Sequence, residues 1–147
     1  MNPHTTMKLK EIMTTDVEVV APTGTVLDAA KKMRDLDVGV LPVCDGKRLV
    51  GMITDRDVTI RATAEARDPN STLVRDCMTP DLIYCFEDQS EVEAERIMAE
   101  KQIRRLPVLT RDKQLAGIVS LGDLARKSEK MEETGRTLRE ISEPAHA

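Results

Sequence analysis

Two short segments place a hydroxyl three residues ahead of a carboxylate: Thr54-x-x-Asp57 and Ser120-x-x-Asp123. Each follows an apolar, β-branched run, Leu49 to Ile53 and Leu115 to Val119, and each should open a helix. Two kinds of chemistry suit that spacing. A hydroxyl and an acid three residues apart form a capping box, satisfying backbone N–H groups that the first helical turn leaves unpaired. The same strand-to-helix junction also presents free N–H groups and the positive end of a helix, which suit phosphate. A hydroxyl there can donate to a phosphate oxygen, and a carboxylate one turn in can accept from both hydroxyls of a ribose. An aspartate aimed at phosphate itself would be repelled, so the ligand reading needs a sugar between them. Cap and clamp both remain open on spacing alone.

Arginines surround these segments unevenly. Arg56 lies between Thr54 and Asp57, and Arg104 and Arg105 directly precede Leu106-Pro107-Val108. A guanidinium fork grips phosphate in two-point fashion, whereas arginines on a loop are more often simply solvated. In the other copy Gly122 stands at the position of Arg56, and Gly39 and Val40 at those of Arg104 and Arg105. The two copies are therefore expected to differ in charge.

The elements that must position these groups are duplicated. Met13-Thr14-Thr15-Asp16, Leu41-Pro42-Val43 and Gly51-x-x-Thr54-x-x-Asp57 recur in order as Met78-Thr79-Pro80-Asp81, Leu106-Pro107-Val108 and Gly117-x-x-Ser120-x-x-Asp123, about 65 residues on. In the first copy Val17–Val20 reads as a short strand. Thr25-x-x-Asp28 opens a helix whose apolar face is Val26, Ala29, Ala30, Met33 and Leu36. Val38–Val43 and Leu49–Ile53 form a hairpin about Asp45-Gly46, and a further helix begins after Thr54. The second copy opens its helix at Ser90-x-x-Glu93, with Val92, Ala94, Ile97 and Met98 inward. Ile103–Leu109 and Leu115–Val119 form its hairpin, and a helix follows Ser120. Pro42 and Pro107 each fall inside a strand and should mark an edge or a bulge. The expected divisions are residues 7–66, a linker at 67–77, residues 78–127, and a charged tail or helix at 128–147. That last segment carries sparse apolar residues at Met131, Leu138 and Ile141.

Composition narrows the class. The chain has 147 residues, 40% hydrophobic, with one Phe, one Tyr and no Trp, so its core must be aliphatic. Each half, at about 60 residues, is marginal alone, and the halves are expected to share a core. A net charge of −4 with interspersed signs argues against a nucleic-acid-binding face. No apolar run is long enough to span a bilayer, and no signal-peptide core begins the chain, so the cytoplasm is expected. Cys44, Cys77 and Cys85 show no Cys-x-x-Cys and no histidine at ligand spacing. Buried free thiols are expected, not a metal site or a Cys77–Cys85 bridge.

The ordered, duplicated Met-Thr, Leu-Pro-Val and Gly-x-x-Thr/Ser-x-x-Asp pattern resembles a tandem pair of CBS (cystathionine β-synthase) domains, the Bateman module. The resemblance spans about residues 7–127 and is closest to stand-alone bacterial CBS pairs of the hypoxic-response type. It implies an α/β (α+β) fold of two β-α-β-β-α units packed sheet to sheet about a pseudo-twofold axis. It also implies two clefts for adenine nucleotides or related adenosyl ligands. By resemblance, Asp57 and Asp123 take the ribose, Thr54 and Ser120 lie on the phosphate side, and Met52 and Ile118 flank adenine. Further cleft residues match the Thr14–Val20 region, including Thr14, Val17 and Glu18, and Val38, Gly39 and Val40. They also match Thr79, Leu82 and Ile83, with Ile103, Arg104 and Arg105, and the family's phosphate-contacting cations match Arg56, Arg104 and Arg105.

The expectation is a regulatory sensor with no catalytic residue, no metal and no required cofactor. Its effector would be AMP, ADP, ATP, NAD or S-adenosylmethionine. A homodimer is expected, with any effector protein on a separate chain. The alternative is an interaction protein with vestigial clefts that acts through a partner. No Ser/His/Asp or Cys/His set supports an enzyme.

Overall fold

A computed structural model describes residues 6–126. The expected tail at 128–147 and both histidines, His4 and His146, lie outside the described residues.

In the first half, Thr25 caps α1 (Val26–Leu36) by accepting the Asp28 N–H at 3.2 Å. The helix ends where Asp37 turns left-handed at φ 54°. β1 (Val40–Asp45) and β2 (Arg48–Thr54) form an antiparallel hairpin. Gly46 in its turn takes φ +62°, a conformation that glycine adopts without steric cost. β2 runs into the single turn α2 (Asp55–Asp57), continued by a π-helical turn over Val58–Thr63.

The second half repeats the plan with β3 (Cys85–Phe86), α3 (Glu91–Lys101), β4 (Arg105–Leu109) and β5 (Leu115–Ser120), and residues 121–126 are helical. β3 pairs parallel with β4, and β4 antiparallel with β5. The fold is α+β in two repeated units, and the second meets the β-α-β-β-α order in full. The first lacks its leading strand. Val17–Val20 is no strand; its backbone meets the sheet at a parallel bridge from Val20 to Val43.

Several inward-facing assignments shift. Leu36 is 45% exposed and Val92 54% exposed. Glu91 is buried in place of Val92, because the N-terminal segment docks on the start of α3: the Met7 N–H donates to Glu91 Oε1 at 3.4 Å. Pro107 lies in the central strand of its sheet rather than at an edge, and each proline is followed one residue later by a bulge. Pro42 costs its hairpin no bond. Val20 N–H donates to Pro42 O at 3.0 Å and Cys44 N–H to Val20 O at 2.9 Å, so the ring nitrogen lies on the side of β1 away from β2.

Each half has its own aliphatic core, so the single shared core is corrected. One contains Val26, Ala29, Met33, Leu41, Val43 and Ile53, and the other Ala94, Met98, Leu106, Val108, Val119 and Leu124. A smaller third cluster, around Cys44, Leu49 and Leu109, joins the two sheets. The halves are bound chiefly by exchange. Leu9, Ile12 and Met13, at the start of the first half, pack in the second core, while Val74 and Cys77 of the linker and Met78 of the second half pack in the first. Thr14 N–H donates to Ile118 O at 2.8 Å and Ile118 N–H to Thr14 O at 2.9 Å; Met52 and Thr79 exchange the same pair at 3.0 and 2.8 Å. These two equivalent crossings are the pseudo-twofold relation between the repeats.

Candidate functional site

Both hydroxyl–acid pairs form reciprocal capping boxes. Thr54 Oγ1 accepts the Asp57 N–H and Asp57 Oδ2 accepts the Thr54 N–H, each at 3.0 Å. Ser120 Oγ accepts the Asp123 N–H at 3.0 Å and Asp123 Oδ2 accepts the Ser120 N–H at 2.9 Å. One carboxylate oxygen of each aspartate is thus committed to the cap. The other faces a guanidinium: Arg61 Nε lies 4.0 Å from Asp57 Oδ1, and Arg126 Nη2 donates to Asp123 Oδ1. The aspartate side chains are only 13% and 14% exposed, while those of Arg61 and Arg126 are 48% and 72% exposed.

A cleft of about 410 Å³ opens beside Ser120 and Asp123. Its apolar walls are Val17, Val38, Val40 and Ile118, from both repeats. Thr14, Asp16 and Glu18 supply polar groups, and Leu36 closes one side. Glu18 lies 3.5 Å from Lys32, whose Nζ also donates to Val19 O at 2.8 Å, so the extended segment is tied to α1. Arg105 lines the same cleft and pairs with Ser120 across β4 and β5. This volume and mixture of apolar walls with few convergent polar groups suit a small organic ligand.

The first half keeps the equivalent backbone contacts and differs in its side chains. The Met52–Thr79 crossing sets Thr79 against β2, and Arg61 Nη1 donates to Met78 O at 3.0 Å. Asp55 N–H donates to Gly39 O at 2.9 Å, and the Asp55 carboxylate would stand 3.1 Å from a Cβ on Gly39. Arg56 is exposed at this junction. Met52 and Leu82 pack on the shared cluster, and Ile83 and Ile103 on the second core.

Thr14, Val17, Glu18, Val38, Val40, Arg105, Ile118, Ser120 and Asp123 are therefore brought to one cleft, and Arg104 lies in a groove that adjoins it. Gly39, Met52, Thr54, Arg56, Asp57, Thr79, Leu82, Ile83 and Ile103 are not among that cleft's lining residues. Arg61 and Arg126 escape sequence reasoning. Their only signal is an arginine four or three residues after the aspartate, the spacing at which helical side chains meet.

The repeated glycines of the motif have a packing role. A Cβ on Gly117 would meet Thr14 O at 2.6 Å and Met13 Sδ at 2.8 Å, and one on Gly51 would meet Met78 Sδ at 2.7 Å and Thr79 O at 3.0 Å. The crossing segments need that space.

All three cysteines are buried and free. Burial pushes the Cys44 and Cys85 thiols up to about 11, and raises Cys77 as well. Such thiols are poor nucleophiles at neutral pH. Among the described residues, no group of three or more His, Cys, Asp or Glu is arranged to hold a metal ion, and no helix is long and apolar enough to cross a membrane.

The family model of the CBS domain matches residues 9–62 and 74–130. The uncharacterized protein YlbB of Bacillus subtilis (strain 168) is 43% identical over 138 residues, spanning 92% of each chain. The crystal structure of Hypoxic Response Protein I with two coordinated zinc ions is 37% identical, with a TM-score of 0.74, over 82% of this chain and 98% of that one. The structure of CBSX2 in complex with AMP is 29% identical, with a TM-score of 0.75, over 85% of this chain and 98% of that one.

Proposed function

The chain belongs to the CBS-domain family as a tandem pair, and from that premise we propose that it is a regulatory module that binds an adenosine-containing ligand between its repeats. AMP, ADP, ATP, NAD and S-adenosylmethionine are the candidate effectors. The observation that carries this reading is the 410 Å³ cleft beside Ser120 and Asp123, which joins apolar walls from both repeats to a hydroxyl, a carboxylate and a guanidinium. Adenine fits between Ile118 and the valines, the ribose hydroxyls reach Asp123, and phosphate lies toward Ser120 and Arg105. The first-half aspartate, Asp57, with Thr54 and Met52, forms the equivalent candidate.

The CBSX2–AMP complex supports the ligand class by similarity of fold and sequence. Ligand would act as a clamp across the crossing of Thr14 on Ile118, favouring whichever arrangement of the halves binds it better. In this reading the module works as a homodimer in the cytoplasm, with an effector on another chain, and performs no catalysis: Asp57 and Asp123 serve caps and the three thiols are buried.

A second reading has its own support. Each aspartate already has one oxygen in a cap and the other facing an arginine, an arrangement complete without ligand. In that case the pair is a ligand-free homodimer acting through its surface. Melting temperatures with each of the five ligands at millimolar concentration decide between them. A rise with at least one supports the sensor; no rise with any leaves the interaction protein.

A further inference from the structure

The extended segment 15–19 walls two cavities yet is lightly held. Its neighbours alternate in the manner of extended chain. Thr14, Asp16 and Glu18 line the cleft of about 410 Å³, Thr15 and Val19 line a smaller cavity of about 170 Å³, and Val17 lines both. The buried thiol of Cys44 also lines the smaller cavity, so the segment partitions the cleft from Cys44. Both flanks are anchored. Thr14 exchanges two bonds with Ile118, and Val20 donates to Pro42 O and accepts from the Cys44 N–H. Between these anchors, the one backbone bond among the described residues is local, from Val17 N–H to Thr15 O at 3.0 Å.

The second half holds its equivalent segment by pairing. Residues 80–84 run directly into β3, whose Cys85 and Phe86 pair with Val108 and Leu109. In the first half that strand is reduced to the bridge from Val20 to Val43, and a side chain supplies what pairing does not. Lys32 Nζ donates to Val19 O at 2.8 Å and lies 3.5 Å from Glu18 Oε2. Ile97 stands at the equivalent position of α3, packs against the second core and has no donor. The lysine tie thus belongs to the first-half segment alone. A charged donor on a carbonyl makes a strong single bond, but the Lys32 side chain is 41% exposed, so water competes for it and the tie is reversible.

We propose that residues 15–19 are a strap latched by Lys32, and that its release opens the ligand cleft and the Cys44 cavity together. A segment with so few backbone bonds opens before the rest of the fold does. A ligand in the cleft packs on Val17 and holds the strap down, so occupancy shields Cys44. This last step rests on the adenosyl reading of the cleft; the latch does not.

The full chain at pH 7.5 tests the strap, with N-ethylmaleimide as the probe and peptide mass spectrometry reading each thiol separately. Lys32→Met keeps the apolar stem and removes the ammonium, while Lys32→Arg keeps a charged donor. Cys85, in the second core, is the internal control. In ligand-free protein Cys44 should label at least about fivefold faster in Lys32→Met, with Cys77 and Cys85 unchanged and Lys32→Arg close to wild type. An unchanged Cys44 rate, or equal acceleration at all three thiols, would overturn the latch. AMP, ADP, ATP, NAD and S-adenosylmethionine are then added singly at millimolar concentration, and one that binds through Asp123 should slow Cys44 labelling. A ligand whose binding is lost in Asp123→Ala but which leaves Cys44 labelling unchanged would refute the coupling of cleft to strap. If none of the five binds, the adenosyl reading fails, and the ligand-free comparison alone decides the latch.

Discussion

Thr14 and Ile118 lie on opposite sides of the boundary between the repeats and exchange two backbone hydrogen bonds of 2.8 and 2.9 Å. Both residues also line the candidate cleft. The crossing that holds the halves together is therefore a wall of the site, and a ligand seated there contacts the joint directly. This gives occupancy a physical route to the arrangement of the halves.

The crossing depends on absent side chains. Gly117→Ala would press a Cβ to within 2.6 Å of Thr14 O and 2.8 Å of Met13 Sδ. A backbone oxygen cannot swing aside, so the segment must shift, and the expected loss is about 1–3 kcal/mol. Gly51→Ala should behave alike through Met78 and Thr79. Urea denaturation measures both; wild-type midpoints would refute the packing role of these glycines.

The caps contribute independently of ligand. Thr54→Ala and Ser120→Ala each remove the acceptor for an aspartate N–H, at an expected cost of about 1 kcal/mol in ligand-free protein. Unchanged unfolding free energies would mean that the capping boxes add nothing to stability.

The thiols set an alkaline limit. Burial pushes Cys44 and Cys85 up to about 11 in the folded state, against about 8.5 for an unfolded thiol. Between those values the folded state holds protons that the unfolded state has released, so stability falls as pH rises through that window. The Cys44→Ala, Cys85→Ala double variant should lose less stability between pH 9 and 11 than wild type. Native wild-type protein at pH 7.5 should resist a thiol reagent that reacts on denaturation. Identical pH slopes, or rapid native labelling, would contradict this.

The repeat made much of the fold legible. Three landmarks recurring in order predicted the capped helices, both hairpins and the hydroxyl–acid junctions, because local patterning and capping act over a few residues. What crosses between halves was not legible in local patterning; only the family resemblance pointed to the Thr14–Val20 region as part of the other repeat's cleft. Nothing within the Met13-Thr14 segment itself says that it packs on the other repeat, and the close approach at Gly51 and Gly117 has no signal in the motif. Glu91 replaced Val92 in the interior because Met7, distant in sequence, docks there. At the site, the unequal arginines were visible in the sequence. Their gathering on the Ser120 side follows from strand register, and the role of Arg126 from a helical spacing too common to single out alone.

The central claim is that the Ser120–Asp123 cleft binds an adenosyl ligand through Asp123. Equilibrium titration of wild type, Asp57→Ala and Asp123→Ala with ATP tests it most directly, folding being verified for each by circular dichroism. The account predicts that Asp123→Ala abolishes or weakens by at least about tenfold the binding seen in wild type, while Asp57→Ala leaves that site intact. Equal affinity and stoichiometry in all three proteins would contradict it and leave both aspartates as helix caps alone.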